Sequence, residues 1–318
     1  MNVVVVGCGS WGSVFAALLA ERGHEVVLAC RDGEQAETIK ATGRNPRYFT
    51  ELDLSGVTAT TIPNAPIADA DLVCLAVPSR SFREVAEALP GEAAVLSLTK
   101  GLDPVSGDRL SGVLHDRLVA VLTGPNHAEE IAAGLPAAAV VASENEAFAM
   151  RLQEAIMSPR FRVYVNTDLV GVELCAAAKN VIALAAGGVD GLEAGDNGKA
   201  ALIARGLSEM TRLGEACGAR AETFAGLAGL GDLVVTCWSR HSRNRRAGEL
   251  IARGASPEEA AKAIGSAVEG LTTAPILRVL ARLHDIELPI TEAVCKVLEG
   301  ASLHDLVSGL MGRRPTDE

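Results

Sequence analysis

Lys179 occupies the middle of "ELCAAAKNVIALAAGG", a run from Glu173 to Gly188 with the composition of a buried helix. Its neighbours on the same helical face, Cys175, Ala176, Ile182 and Ala183, offer an ammonium group nothing to pair with. An unpaired buried charge is expensive. Either the side chain snorkels to solvent along the alanine surface, or it does chemistry as a proton donor and acceptor tuned by its surroundings. The chain has only six lysines against 23 arginines, which gives each lysine weight. A second, Lys100, stands in "TKGL" just after a strand-like run, where a solvated loop lysine is the plain alternative. Further on, "SRHSRNRRAG" gathers Arg240, Arg243, Arg245 and Arg246 with His241. Such a cluster is usually a solvated face, but a guanidinium can also grip phosphate through two parallel bonds.

A second constellation lies at the N-terminus. "VVVVGCGSWG" sets Gly7, Gly9 and Gly12 after an apolar strand and ahead of a helix. The first glycine permits a tight turn and the second lets the backbone approach a pyrophosphate. The third lets helix and strand pack closely, with the anion at the helix N-terminus. At the end of the next strand Cys30 is followed by Arg31, where an NAD-specific site would carry Asp or Glu. Arg31 can neutralise a 2′-phosphate, which favours NADPH, although Asp32 could reach a ribose from one position later. "AVPS", Ala76–Ser79, ends a further strand expected to line the same groove.

The elements that must position these groups follow from periodicity. "NVVVVG", "EVVLAC", "DLVCLAV", "AAVLSLT" and "LVAVLTG" are compact apolar runs, the pattern of strands buried on both faces. "AAAVVAS" and "FRVYVN" add two more. Helix-like stretches such as "SVFAALLAERGH" alternate with the early strands, which predicts a mostly parallel, doubly wound sheet. Beyond about Gly171 only helical patterns occur, with Ser256, Thr272 or Thr273, and Thr291 as candidate N-caps. The expected organisation is an α/β nucleotide-binding domain over residues 1–178 and an all-α substrate domain over 179–318, with the active site in the cleft between them. The C-terminal "GRRPTDE" is expected to fray.

Bulk properties exclude several classes. A formal charge of −11 argues against nucleic-acid binding, which needs surplus cations to neutralise phosphates. No run of about 18 uninterrupted apolar residues predicts a membrane span. No basic leader precedes the first strand, and seven scattered cysteines without a CxxC pair suggest reduced thiols in the cytoplasm.

"TKGL" (99–102), "GPNHAEEIAAGLP" (124–136), "AAAKN" (176–180), "AGLGDLVVTC" (228–237), "SRNRRAG" (242–248) and "VEG" (268–270) occur in one order. With the glycine-rich loop they make the whole chain resemble the bacterial NAD(P)-dependent sn-glycerol-3-phosphate dehydrogenases. The resemblance implies a Rossmann-type domain followed by a helical one. It also implies reversible reduction of dihydroxyacetone phosphate to sn-glycerol 3-phosphate for phospholipid synthesis. Lys179 would then be the general acid and base, with Asp232 as its carboxylate partner and Lys100 as a second catalytic cation. Cofactor contacts would come from Gly7, Gly9, Ser10, Trp11, Gly12 and Arg31, and from Lys100, Ala128, Arg243 and Glu269. Substrate would be held by Lys100, Gly124, Asn126, Lys179 and Asn180, and by Asp232, Thr236, Ser242, Arg243 and Asn244, with Arg243 facing phosphate. One departure stands out, since the family has Ser or Thr, often followed by Phe, where this chain has Asn126 and His127.

Relatives of the 3-hydroxyacid and 6-phosphogluconate dehydrogenases are an alternative, but they separate the catalytic lysine from its asparagine, whereas Lys179 and Asn180 are adjacent. A nucleotide sensor without catalysis would have no use for Lys100, Lys179, Asp232 and Arg243 together. The resemblance further suggests a homodimer, and no metal is implied, because lysine supplies the electrophilic help. Lys179→Met is expected to keep the fold and even to gain stability by removing a buried charge.

Overall fold

The computed structural model describes residues 1–303; the "GRRPTDE" tail lies outside them. Its elements run β1 (Asn2–Val6), α1 (Ser10–Glu21), β2 (Glu25–Cys30), α2 (Gly33–Thr42), β3 (Val57–Thr61), β4 (Leu72–Leu75), α3 (Ser79–Glu87) and β5 (Ala94–Ser97). Then follow β6 (Val119–Thr123), α4 (Ala128–Ala132), β7 (Ala137–Ala142), α5 (Glu146–Ile156) and β8 (Phe161–Asn166). The rest is helical: α6 (Leu169–Gly191), α7 (Gly195–Ala216), α8 (Ala221–Ala225), α9 (Asp232–Trp238), α10 (Arg243–Ala252), α11 (Pro257–Ile264), α12 (Glu269–Leu283) and α13 (Pro289–Leu298). The chain divides into a unit Met1–Glu173 and a second from Leu174 on, so the division falls inside α6, a few residues before the expected 178/179 boundary.

The first unit holds one sheet of eight strands in the order β3-β2-β1-β4-β5-β6-β7-β8. Neighbours pair in parallel except β6 with β7. The apolar runs explain it: in β1, Val3 and Val5 join the core on one face with Phe15 and Leu19 of α1. Val4 and Val6 join the other with Phe82 and Ala86 of α3. Alternate side chains point to opposite faces, so a strand covered by helices on both sides is apolar throughout.

The eighth strand was not legible from apolar content. β3, "VTATT", pairs only with β2 at the sheet edge and alternates buried with more exposed positions. Its β-branched threonines suit an extended edge strand without an apolar run.

Helix starts also depart from expectation in two places. Ser256 caps α11 as expected, in a reciprocal capping box with Glu259. Thr272 and Thr273 do not cap α12, which begins earlier at Glu269, and Thr291 lies inside α13 rather than before it. The first turn of α13 is instead satisfied from a distance: Glu209 of α7 accepts from the Ile290 N–H at 2.5 Å and the Thr291 N–H at 3.2 Å. A buried carboxylate from another helix does the work of a local cap. α6 is long and apolar enough to cross a bilayer, yet 89% of its most apolar window is buried inside the protein, as in a core helix.

Burial pushes the Glu209 carboxyl up to about 7 from its ordinary 4.5, against its hydrogen bonds to the start of α13. The folded value exceeds the unfolded one, so the group's favourable contribution is present below about pH 4.5 and is lost as pH rises through about 7. Relative to the wild type, Glu209→Gln should therefore gain up to about 3 kcal/mol of unfolding free energy between pH 5 and pH 8. Urea unfolding at both pH values measures this; a difference independent of pH would mean Glu209 ionises in the fold at no cost.

Candidate active site

Lys179 is 4% exposed, and its partner comes from 53 residues further along the chain. Its Nζ donates to Asp232 Oδ1 at 2.7 Å and to Thr236 Oγ1 at 2.8 Å. Asp232 and Thr236 are 2% and 3% exposed and lie one turn apart on α9. The Thr236 hydroxyl is also 2.5 Å from the Asp232 carbonyl and 3.2 Å from its Oδ1. The lysine does not snorkel.

The sequence builds this locally through "GLGD". Leu227–Gly231 forms a π-helical turn that delivers Asp232 as the first residue of α9. A side chain at Gly229 would lie 2.0 Å from the Phe224 carbonyl, so the turn closes only with glycine. α6 and α10 approach backbone to backbone for the same reason. A Cβ on Gly187 would meet the Arg245 carbonyl at 1.9 Å, and one on Gly248 the Leu184 carbonyl at 1.9 Å. Across this contact Asn180 Oδ1 accepts from Asn244 Nδ2 at 2.9 Å, and Asn244 Oδ1 accepts from the Gly270 N–H at 2.9 Å. The two asparagines thus fix the α10 start and the α12 start, where Glu269 is the first residue, relative to Lys179.

Ser242 is buried and caps α10 by accepting from the Arg245 N–H at 3.2 Å. Arg243 is the first helical residue and is exposed. A guanidinium at a helix N-terminus is suited to an anion. The arginines of "SRNRRAG" divide their labour. Arg245 pairs with Asp190, which also binds Lys199 Nζ at 2.8 Å through both carboxylate oxygens. Lys199 lies 4.9 Å from the Trp238 ring centroid. This network is a cluster that sequence reading missed, because its members sit on different helices at no recurring spacing.

In the first unit, Lys100 Nζ donates to Asn126 Oδ1 at 3.0 Å and lies 3.4 Å from the Gly124 carbonyl. The amide standing where the family has a hydroxyl therefore engages a second candidate cation. Its Nδ2 is buried and has no hydrogen-bond partner among the described residues. Ala128 is buried at the start of α4.

The glycine-rich loop behaves as the spacing implies. Gly7 has φ +112° and a side chain there would meet the Ala76 carbonyl at 2.5 Å; at Gly12 it would meet the Gly7 carbonyl at 1.9 Å. Ala76 of "AVPS" thus walls the loop, while Ser79 begins α3 and is buried. Gly9 differs: no atom of the described residues lies within 4 Å of where its Cβ would be. This is backbone left open for a large group to approach, and Ser10 and Trp11 open the helix beside it. The Trp11 indole N–H is buried and has no partner among the described residues. An open cradle and an orphaned donor fit a dinucleotide. Beneath the loop, the Cys8 carbonyl accepts from Gln35 Nε2 and from Asn45 Nδ2, both at 3.1 Å. These two brackets were also missed, being single polar residues in unremarked positions.

Arg31 is exposed at the end of β2. Asp32 is committed elsewhere. It caps α2 by accepting from the Glu34 and Gln35 N–H groups at 2.9 and 3.2 Å, and it pairs with Arg47. The Gln35 N–H and the Arg47 guanidinium hold its carboxyl below the ordinary range.

An open parallel sheet with a glycine cradle at the first strand–helix turn is the architecture of nicotinamide-dependent oxidoreductases. Comparison with known proteins agrees. Sequence models of the NAD-dependent glycerol-3-phosphate dehydrogenase N-terminus and C-terminus match residues 2–149 and 168–308. The glycerol-3-phosphate dehydrogenase (NAD(P)+) of Moorella thermoacetica is 46% identical, over 100% of this chain and 97% of its own length. That of Thermoanaerobacter sp. is 45% identical, over 98% and 97%. A crystal structure of glycerol-3-phosphate dehydrogenase from Coxiella burnetii superposes with a TM-score of 0.93 at 38% identity, covering 98% of this chain and 99% of that one. The chain belongs to the NAD-dependent glycerol-3-phosphate dehydrogenase family and is an oxidoreductase that uses NAD or NADP.

The glycine geometry separates binding from folding. Gly9 has φ −74° and ψ −175°, which alanine adopts freely, and its Cβ would meet no atom of the described residues. Gly9→Ala should therefore change stability by no more than about 0.5 kcal/mol, while weakening NADPH binding at least tenfold. Thermal melts and fluorescence titration check this; unchanged affinity would remove the loop as the pyrophosphate site.

Proposed function

We propose that this chain interconverts dihydroxyacetone phosphate and sn-glycerol 3-phosphate, with Lys179 as general acid and base. The observation that carries the reading is the buried Lys179–Asp232–Thr236 cluster, an ion pair with no role that an apolar packing would not fill better. A bound nicotinamide supplies or accepts the hydride. In the reducing direction Lys179 gives a proton to the oxygen of the developing alkoxide, and in the oxidising direction it takes that proton back. Asp232 holds the ammonium against the cost of burial, and Thr236 orients it. Arg243, with the α10 N-terminus behind it, holds the substrate phosphate, and Ser242 and Asn244 fix that arginine's position. Lys100, aligned by Asn126, is the second cation of the reaction. Within the same reading the enzyme acts in the cytoplasm as a homodimer and supplies glycerol 3-phosphate for phospholipid synthesis.

The stability expectation for Lys179→Met changes with the pair in view. Removing the lysine leaves Asp232 buried without its cation, which costs about 3–5 kcal/mol rather than stabilising the fold. The Lys179→Met/Asp232→Asn double variant removes the stranded charge and should recover most of that loss. Both should lose turnover by about 10²–10⁴ while still binding NADPH. The assay follows NADPH oxidation with dihydroxyacetone phosphate, and near-normal turnover in the folded double variant would sink the assignment.

Arg31 is proposed to select NADPH through the 2′-phosphate, since Asp32 is occupied by its helix cap and by Arg47. Arg31→Ala should weaken NADPH by roughly 1.5–3 kcal/mol and leave NADH nearly unchanged. Equal losses in parallel titrations would show that Arg31 does not read the phosphate.

A further inference from the structure

Arg245 stands two residues after Arg243 on α10, yet its side chain turns back to the bend that joins α9 to α10. The bend is short, with Ser239 closing α9 and Ser242 opening α10. The Arg245 Nε donates to the Ser239 carbonyl at 3.1 Å, and the Arg245 backbone N–H donates to Ser242 Oγ at 3.2 Å. The Ser242 N–H also donates to the Ser239 carbonyl, at 3.2 Å. One arginine therefore fastens both ends of the bend. On one side of it stand Asp232 and Thr236, which hold Lys179, and on the other stands Arg243.

The anchor for Arg245 is Asp190. Eleven residues after Lys179, it returns to the same face of α6 about three turns further on. Its Oδ2 accepts from Arg245, and both its oxygens accept from Lys199 Nζ at 2.8 Å. Lys199 is buried against the ring of Trp238, the last residue of α9. One carboxylate thus holds the α9 end of the bend through Lys199 and Trp238, and the α10 end through Arg245. A guanidinium is a rigid planar fork, so bonds at Nε and at a terminal nitrogen together fix its orientation. A second carboxylate is within reach of Arg245, since Glu249 lies 3.4 Å away and one turn further along α10. Asp190 keeps the guanidinium facing the bend instead.

Close packing does not by itself place Arg243. Gly187 and Gly248 let α6 and α10 meet backbone to backbone, but that contact begins at the Arg245 carbonyl, and Arg243 lies before it. The residues ahead of the contact are held by polar bonds, and those converge on Arg245 and Asp190.

We propose that Asp190 and Arg245 are positioning residues for phosphate recognition: their ion pair fixes the α9–α10 bend, and with it the place from which Arg243 reaches the substrate phosphate. Neither residue touches the substrate. The inference rests on the proposed reaction and on Arg243 as the phosphate ligand. It deepens that reading by naming what sets the arginine's distance from the Lys179 cluster.

The test is a mutant cycle of Arg243→Gln, Arg245→Gln and the double variant, assayed with dihydroxyacetone phosphate and with unphosphorylated dihydroxyacetone. Arg245→Gln leaves Asp190 paired with Lys199, so no buried charge is stranded and the fold should persist. It should raise KM for dihydroxyacetone phosphate roughly tenfold, on the scale of a misplaced binding group, with kcat, NADPH affinity and activity on dihydroxyacetone unchanged. In the Arg243→Gln background the same substitution should add nothing, because a residue that acts through Arg243 has nothing left to position. Asp190→Asn should repeat the rise in KM; if that variant does not fold, the arginine cycle decides alone. An unchanged KM in Arg245→Gln, equal losses on both substrates, or a full further loss in the double variant would each overturn the inference. A wild-type KM in Arg243→Gln would instead remove the phosphate assignment itself, and this inference with it.

Discussion

An ammonium group and a carboxylate held together away from water set the terms for the second half of this protein. Neither Lys179 nor Asp232 could occupy its position alone, because a buried charge without a counter-charge outweighs the few contacts its side chain gains. The pair therefore ties α6 to α9, and everything near it serves that geometry. Gly229 closes the π-helical turn that aims Asp232, and Thr236 reaches back from the next turn to share both partners. Gly187 and Gly248 let α6 and α10 approach closely enough for Asn180 and Asn244 to join across the gap. Hydrophobic burial supplies the stability of these helices, but the polar pair decides how they are set against one another.

The first unit meets a different constraint. A loop shaped to offer its backbone N–H groups to an anion cannot satisfy them internally, and it cannot be floppy either. Rigidity comes from Gly7 and Gly12, which press into neighbouring backbone, and from the two amides that grip the Cys8 carbonyl from below. Asn45 does more, since it also donates to Ser13 and accepts from Gln35 and Arg47. A completely satisfied buried polar cluster of this kind fixes one loop conformation, because every alternative leaves a donor or acceptor unpaired.

Charge in this chain is used locally and seldom for its sign alone. Asp190 binds both Lys199 and Arg245, and so holds α7 and the start of α10 to α6. Glu209 takes the place of a serine or threonine cap at α13, and Glu173 accepts from Arg109 and Ser111 within the first unit. Burial raises both of these glutamates, as expected where desolvation exceeds the gain from hydrogen bonds.

The sequence by itself determined the periodic and the ordered features. Seven of the strands were legible as apolar runs, the glycine cradle as a spacing, the all-helical second unit as a change of period, and the family as an ordered set of motifs. The family resemblance named Asp232 as the partner of Lys179, but no local pattern encodes a contact across 53 residues, and tertiary structure alone brought the Thr236 hydroxyl to the same ammonium group. It also decided the edge strand β3, whose threonines carry no apolar signal, and the caps of α12 and α13, which come from no flanking Ser or Thr. The fate of Asp32 belongs here too, for a carboxylate that caps α2 and pairs with Arg47 looks, as a letter in a sequence, the same as one waiting for a ribose. Local physics writes itself into residue order; pairings between distant polar groups do not, since they depend on which buried atoms remain unsatisfied once the helices and strands have packed.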